Sequence, residues 1–530
     1  MQEFNGAFHL RAQSTRRGPI LVASVARRHV IVGLCERNRH PHLRPGQRSQ
    51  RRSLPCFLVC FESPHDGRSS GPGLPGALHH RQTRQEIVMF RSTLKCAGVV
   101  LITGVAGLAI AQDQDAEAQA AVDKRPFGEL PPNTGWLSDP NTPAQDLWEA
   151  IGGGKLHLNN RLRYEYHDME SDGAKPAHAF TNRLRLGYET KPFKGFNAMI
   201  EFENVISFDK TLYWVPATRD GSANRAVVAD PQDTEVNQAW VQYHLDEVFE
   251  SEAWVNIKVG RQRITLDDER FVGNVGWRQF EQTYDAVLVQ FGNDPFTFSY
   301  AHVWKVQGIF SNGVDLDADT HVFHLAVHPV DWITVTPFVY LVDVQQAPAL
   351  DSDTYGVRLQ GGTPIGQDDA LSFTYNAYYA HQTEGRNSSI PDYDADFFAI
   401  DLSVAKKELG ALGAGYQFIG SDGGADSFIF PLGTNHAFNG WADRFLATPV
   451  TGLQDLYGYV KADLPRGFKG MIVYHQFWSD VGSTDFGSEI DAVVSKKISK
   501  NWSVLGKFAH FMGDALTDNT KFWVETTFSF

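Results

Sequence analysis

From Gly154 to the C-terminus the sequence keeps returning to a period of two. Leu156, Leu158, Leu162, Tyr164 and Tyr166 alternate with Lys155, His157, Asn159, Arg161, Arg163 and Glu165. Phe180, Leu184, Leu186 and Tyr188 alternate with Thr181, Arg183, Arg185 and Glu189, and Phe196, Ala198, Ile200 and Phe202 with Asn197, Glu201 and Glu203. Period two marks a strand with two unlike faces. A packed soluble core would have to bury the charged face, which costs heavily unless every charge is paired. If the apolar face meets lipid and the polar face lines a water-filled lumen, that cost disappears.

The same rule runs through segments 154–168, 179–191, 195–207, 235–246, 253–263, 283–292, 295–306, 319–328, 332–344, 352–361, 369–382, 395–405, 409–420, 455–464, 467–479, 486–498, 501–513 and 519–530. About eighteen strands, an even number of about 10–13 residues each, fit a bacterial outer-membrane barrel. The connections alternate in length. Lys191–Lys194, Gly292–Asp294, Pro329–Asp331, Pro465–Arg466 and Ser499–Lys500 are short; 208–234, 264–282, 307–318, 383–394 and 421–454 are long. Short periplasmic turns and long external loops belong to the same class. The expected fold is therefore all-β: a transmembrane, antiparallel, up-and-down β-barrel spanning 154–530, in the outer membrane, with both termini in the periplasm. The final strand puts Phe522, Val524, Phe528 and Phe530 on one face. An amphipathic strand ending on an aromatic resembles the signal read by the barrel-assembly machinery.

The chain ahead of Gly154 divides differently. Residues 89–111, with Arg91, Lys95 and an apolar run from Cys96 to Ile110, read as a secretory signal cut after Ala111. The 88 residues before it hold fourteen Arg and no Lys. They read as a disordered extension foreign to the protein, with translation starting at Met89. Residues 112–153 read as a polar periplasmic lead-in with a short helix near Asp146–Ile151. The whole chain carries −14; without the +11 of residues 1–111 the remainder stands at −25. So acidic a chain excludes nucleic acid as a partner. All four cysteines (Cys35, Cys56, Cys60, Cys96) precede the cut, so no disulfide framework is expected.

One stretch stands apart from the alternation. Val259-Gly260-Arg261-Gln262-Arg263 runs into Asp267-Asp268-Glu269-Arg270, then through Trp277 to Tyr284-Asp285-Ala286. A loop of this length inside a compact fold is functional or disordered. Gly260-Arg261-Gln262-Arg263, Asp267-Asp268 and Asp285-Ala286 resemble the hallmark of the alginate export family of outer-membrane channels. Ala239-Trp240-Val241-Gln242-Tyr243 and the Arg-Leu-Arg repeats at 161–163 and 183–185 agree with it. The resemblance covers 154–530 and is strongest over 154–305. It implies an 18-stranded barrel with a cationic constriction passing an anionic polysaccharide. The segment between Asp268 and Asp285 is longer than in the alginate exporter, which leaves the substrate open.

Arg161, Arg163, Arg183 and Arg185 fall on the polar faces of two adjacent strands, and inward Arg rings select anions. Lys258, Lys305 and Arg358 are expected to join them as pore-lining, anion-binding groups. The bland counterpart is a ladder of internal salt bridges with Glu165, Glu189, Glu201 and Glu203. Gly260, Arg261, Arg263, Asp267, Asp268 and Asp285 are the family-motif residues. Strict alternation would turn Arg261 and Arg263 to lipid, so we expect either the strand to have left the hydrocarbon band by Gly260 or a bulge there to turn them inward. They would hold loop 264–282 through Asp267, Asp268 or Glu269, with the loop folded into the pore.

No cofactor or metal is expected. Asp315, Asp317 and Asp319, and likewise Asp392, Asp394 and Asp396, lack the Gly and Glu of a calcium loop; His321, His324 and His328 lack a matching Cys or acid cluster. From Gln112 onward there is no Gly-x-Ser-x-Gly elbow, and no catalysis is expected. The partners expected are an anionic saccharide or small anionic solute, outer-membrane lipid and lipopolysaccharide, the barrel-assembly machinery and periplasmic secretion components. Two other readings stay open: a porin for small organic acids or aromatic compounds, and a non-conducting structural or adhesion barrel.

Overall fold

The computed structural model of the chain describes residues 143–530 apart from 170–172, 249–251, 312–313, 367–369 and 391, together with strands Ile20–Ala26 and His29–Cys35. The signal segment, most of the N-terminal extension and most of the lead-in lie outside the described residues. The chain divides into two units, 1–83 and 84–530. In the first, Ile20–Ala26 and His29–Cys35 pair as an antiparallel hairpin. Both runs are rich in Ile and Val, which favour strands.

In the second unit a short helix, Leu147–Gly152, is capped by Asp146, whose carboxylate accepts the Glu149 N–H. Eighteen strands follow: β1 Lys155–Met169, β2 Ala177–Glu189, β3 Phe196–Ser207, β4 Asp233–Val248, β5 Ala253–Gln262, β6 Thr283–Asn293, β7 Phe296–Gln307, β8 Leu316–Val330, β9 Ile333–Val342, β10 Ser352–Ile365, β11 Leu371–Glu384, β12 Asp394–Lys406, β13 Gly410–Ile419, β14 Leu453–Leu464, β15 Phe468–Trp478, β16 Asp485–Ser499, β17 Trp502–Gly513 and β18 Asn519–Ser529. Each pairs antiparallel with its sequence neighbour, and β18 closes on β1 with Phe522 opposite Tyr166. Beyond β18, Phe530 and Leu158 exchange both backbone hydrogen bonds. This is the all-β closed barrel of bacterial outer-membrane porins, and closure leaves no strand edge unpaired in lipid.

The period-two pattern sorts the residues as a membrane barrel requires. On β2, Ala177, Ala179, Thr181, Arg183 and Arg185 are buried inside, while Phe180, Leu184 and Leu186 are exposed outside. Ile200 and Phe202 on β3 and Val460 on β14 join that outer apolar band, which meets membrane lipid. Aromatic residues gather at the short-turn end: Phe196 packs on Tyr243 at 4.6 Å, and Trp332 and Trp502 are exposed. Such girdles suit the membrane–water interface. No helix among the described residues is long and apolar enough to cross a membrane, so the crossing is made by strands. The lead-in helix sits at the short-turn end, where Lys191 N donates to Ala150 O and Lys191 Nζ pairs with Glu149 at 3.0 Å.

Candidate functional site

The barrel is not an open tube. Residues 263–282, between β5 and β6, bury Phe271, Val272, Val275, Trp277 and Phe280. Residues 420–452, between β13 and β14, bury Phe428, Phe430, Leu432, Phe438, Trp441 and Phe445. Apolar side chains from an outer loop escape water only by folding into the lumen. There the two loops join. Val272 bridges Leu432, Thr434 N donates to Glu269 O, and Trp277 stacks on His436 with ring centroids 5.0 Å apart. Tyr284, at the start of β6, donates its hydroxyl to Gly273 O at 2.7 Å.

Loop 263–282 crosses the full width of the barrel. At one end Asp267 pairs with Arg358 on β10 at 3.0 Å and with His324 on β8 at 3.1 Å. Asp268 accepts from Tyr378 and Asn376 on β11 at 2.6 and 3.0 Å. At the other end Arg278 pairs with Glu165 on β1 at 3.2 Å, and Gln279 donates to Thr181 on β2 at 2.8 Å. In a ring of eighteen strands, β1 and β10 stand opposite one another.

The expected lumen arginines lie at this crossing, buried inside. Arg163 pairs with Glu525 on β18 at 2.6 Å and lies over the Trp277 ring at 4.1 Å. Arg185 pairs with Glu203 at 2.6 Å and Glu281 at 3.4 Å. Arg161 donates to Gly276 O at 2.9 Å and Gln279 Oε1 at 3.0 Å, and also to Arg278 O. Arg183 donates to Asn159 and stands 3.8 Å from Glu203; its Nε and Nη1 have no hydrogen-bond partner. Arg358 is likewise inside, on the acidic pair of the loop, and Lys258 lies 4.4 Å over the Trp240 ring.

Lys305 falls elsewhere. The expectation put it in the lumen, but a register shift between Val303 and Lys305 turns it outward, to Asp315 at 3.7 Å and Asp317 at 3.8 Å on the outer rim. The motif arginines part company. Arg261 keeps the outward side of Val259 and pairs with Asp285, directly opposite it on β6, at 2.9 Å. Arg263, past the strand end, turns inward to Glu281 at 2.6 Å and Glu201 at 2.9 Å. So Arg263 does hold the loop, but through Glu281 rather than Asp267, Asp268 or Glu269. Gly260 is required between strands: its φ is 120°, and a Cβ there would lie 2.3 Å from Ala239 O.

Burial shifts the loop carboxyls in both directions. For Glu281, burial alone would raise the pKa; Arg185, Arg263 and the Asn237 amide outweigh it and hold the group well below the usual carboxylate range. Asp267 is held down in the same way by His324 and Arg358 against its burial. For Glu269 burial wins and the carboxyl is raised, despite hydrogen bonds from Thr434 and the Asn274 N–H. Val275, fully buried, has φ 55°, a strained backbone for a β-branched residue. Its N–H is spent on Thr434 Oγ1 at 3.1 Å.

The β16–β18 wall was not singled out from the sequence. Asn439 and Gly440 both take left-handed backbone, with φ 62° and 85°. The next two amides then point outward: Trp441 N to Asp491 at 3.1 Å and Ala442 N to Glu489 at 2.6 Å, both on β16. A Cβ on Gly440 would come 2.4 Å from Glu489. Lys507 on β17 lies 4.0 Å over Trp441 and 4.1 Å over Trp277. Asp443 bridges His436 and Lys521, which hold its carboxyl far below the usual range against its burial. The density of aromatics over 428–445 in a supposed outer loop was the signal available. Among the described residues, the grouping of three with metal-ligand spacing, His302, Asp319 and His321, lies outside the lumen.

A family model described as Alginate export matches residues 155–420. No curated protein sequence matches the chain. Among solved structures, Pseudomonas aeruginosa OccK9 (OpdG) is similar at a TM-score of 0.57 and 13% identity, over 72% of this chain and 99% of that one. Acinetobacter baumannii OccAB3 is similar at 0.56 and 14%, over 72% and 100%, and OccAB2 at 0.55 and 14%, over 72% and 99%. At such identities the likeness speaks for the shared barrel fold.

Proposed function

The chain belongs to the alginate export family, and from that premise we propose that it is an outer-membrane channel for small anionic solutes, organic or aromatic acids, rather than for a polysaccharide. The observation that carries this reading is the loop crossing from Glu165 on β1 to Arg358 on β10. A polymer needs a continuous wide bore, whereas a small acid needs only a gap beside the joined loops. The arginine band supplies the sign of the charge. Arg183 is buried, with Glu203 3.8 Å away and Nε and Nη1 without a hydrogen-bond partner, so it would act on a passing carboxylate through its charge. Arg161, Arg163 and Arg185 would then act as the fixed positive field around it, with Glu203, Glu281 and Glu525 keeping them in place. Passage would be passive, through successive weak contacts.

Planar-bilayer recording tests this. A salt gradient should give an anion-selective reversal potential, and benzoate should reduce the current at lower concentration than an oligouronate does. Arg183→Gln should weaken the benzoate effect several-fold while leaving the barrel folded. Cation selectivity, or oligouronate acting at the lower concentration, would contradict the reading and favour polysaccharide export.

A further inference from the structure

Far from the lumen, the outer face of β7 and β8 carries a second constellation. His302 and His321 stand directly opposite in the register. Their rings are parallel within 8°, with centroids 4.8 Å apart. Asp319 precedes His321 by two residues and so shares its face of β8. His302 Nε2 lies 3.0 Å, and His321 Nε2 3.6 Å, from the same oxygen, Asp319 Oδ1. One ligand atom from each residue falls within 4.8 Å of the others. A tetrahedral zinc-like ion with bonds of about 2.0–2.1 Å holds its donors about 3.3–3.4 Å apart, so small side-chain rotations would suffice.

A further contact points to a ligand role. The outer nitrogen of His321, Nδ1, is 3.0 Å from the Tyr300 hydroxyl. Metal-binding imidazoles commonly commit the nitrogen away from the ion to such a partner, which fixes ring orientation and tautomer. Tyr300 thereby leaves Nε2 facing Asp319 and His302. The three side chains stand on paired strands of a closed barrel, so little ordering remains to be done on binding. Below them Tyr300, Phe323 and Leu325 continue the apolar outer face; above them Asp317 is exposed. The cluster therefore lies at the upper edge of the lipid band, within reach of external water.

We propose that His302, Asp319 and His321 form a binding site for one divalent first-row transition ion of the zinc, nickel or copper type. Two imidazoles with one carboxylate favour these ions over calcium and magnesium, which take oxygen ligands. Water completes the coordination, and the ion ties β7 to β8 at the outer rim. A separate outer-face group three strands on, His381 on β11 with Asp396 at 3.1 Å and Asp394 at 3.7 Å, offers a single imidazole and serves as a control.

The test is calorimetric titration of the untagged, membrane-inserted protein with Zn2+, alongside Cu2+ electron paramagnetic resonance. One ion per chain is expected, with nitrogen hyperfine structure from two imidazoles and no displacement by excess Ca2+. The double variant His302→Asn/His321→Asn should lose at least about tenfold in affinity while keeping the heat-modifiable gel mobility of a folded barrel; His381→Asn should change nothing. Absence of saturable binding would overturn the proposal. So would unchanged affinity in the double variant, loss of binding in His381→Asn, or a copper spectrum without nitrogen couplings.

Discussion

The two inner walls hold their loops by different chemistry. On the β1–β3 wall loop 263–282 is held by charged side chains of the wall: Arg185 on Glu281, Glu165 on Arg278, and Arg161 on the Gly276 and Arg278 carbonyls, while Arg263 ties Glu281 from within the loop. On the β16 wall loop 420–452 is held by its backbone, through the Trp441 and Ala442 amides on Asp491 and Glu489. A salt-bridge latch is strong only while both charges are present, because removing one leaves the other buried and uncompensated. A backbone latch survives any change that keeps an acceptor oxygen in place. The first loop is therefore the one that substitution or acid can release.

The largest contrast comes from Glu281→Gln. It leaves Arg185 and Arg263 facing a neutral amide, but each keeps a second carboxylate, Glu203 and Glu201, so the loss should fall short of the about 3–5 kcal/mol of a fully broken buried pair. Single-channel recording should show a several-fold larger and noisier conductance, and thermal unfolding an earlier transition. Acid acts on the same latch. Since the folded-state pKa of Glu281 is depressed, its contribution is complete above the unfolded carboxylate value of about 4.3 and is lost as pH falls through the lower folded value. Conductance should hold steady from neutral pH to about 5 and rise only below about 4; a rise already near neutrality would break the contrast. Glu489→Gln keeps an acceptor for the Ala442 N–H and should cost only about 1 kcal/mol, the difference between a charged and a neutral hydrogen bond. Its conductance should stay close to that of the parent. Smallest is Tyr378→Phe, which takes one donor from Asp268 but leaves Asn376 and Arg358; about 1 kcal/mol or less is expected, read as a slight shift in unfolding temperature.

Much of this was legible in the residues. Strands show because lipid demands apolar groups at every second position and the lumen does not, so Leu184 and Leu186 against Arg183 and Arg185 already mark both faces. The inward turn of 264–282 was legible from its aromatics and charges. What alternation could not give was where it lapses. The shift beside Lys305 sends that residue outward, and the end of β5 at Gln262 frees Arg263 to turn in while Arg261 stays out. The partners of a loop that crosses the barrel were equally hidden. Asp268 meets Tyr378 across 110 residues and Arg278 meets Glu165 across 113, distances over which a single sequence carries no pairing signal. The cluster of His302, Asp319 and His321 was passed over because its members come from two strands whose register must be known first.

On the proposed function loop 263–282 sets the width of the passage, and exclusion of neutral polymers from the conducting channel measures that width. Conductance should be recorded with polyethylene glycols of increasing size, for the parent and for a variant with residues 267–278 replaced by a short glycine–serine link. Only the smallest polymers should depress the parent's conductance, and the shortened loop should admit larger ones. Equal cut-offs in the two proteins would show that the loop does not control the bore.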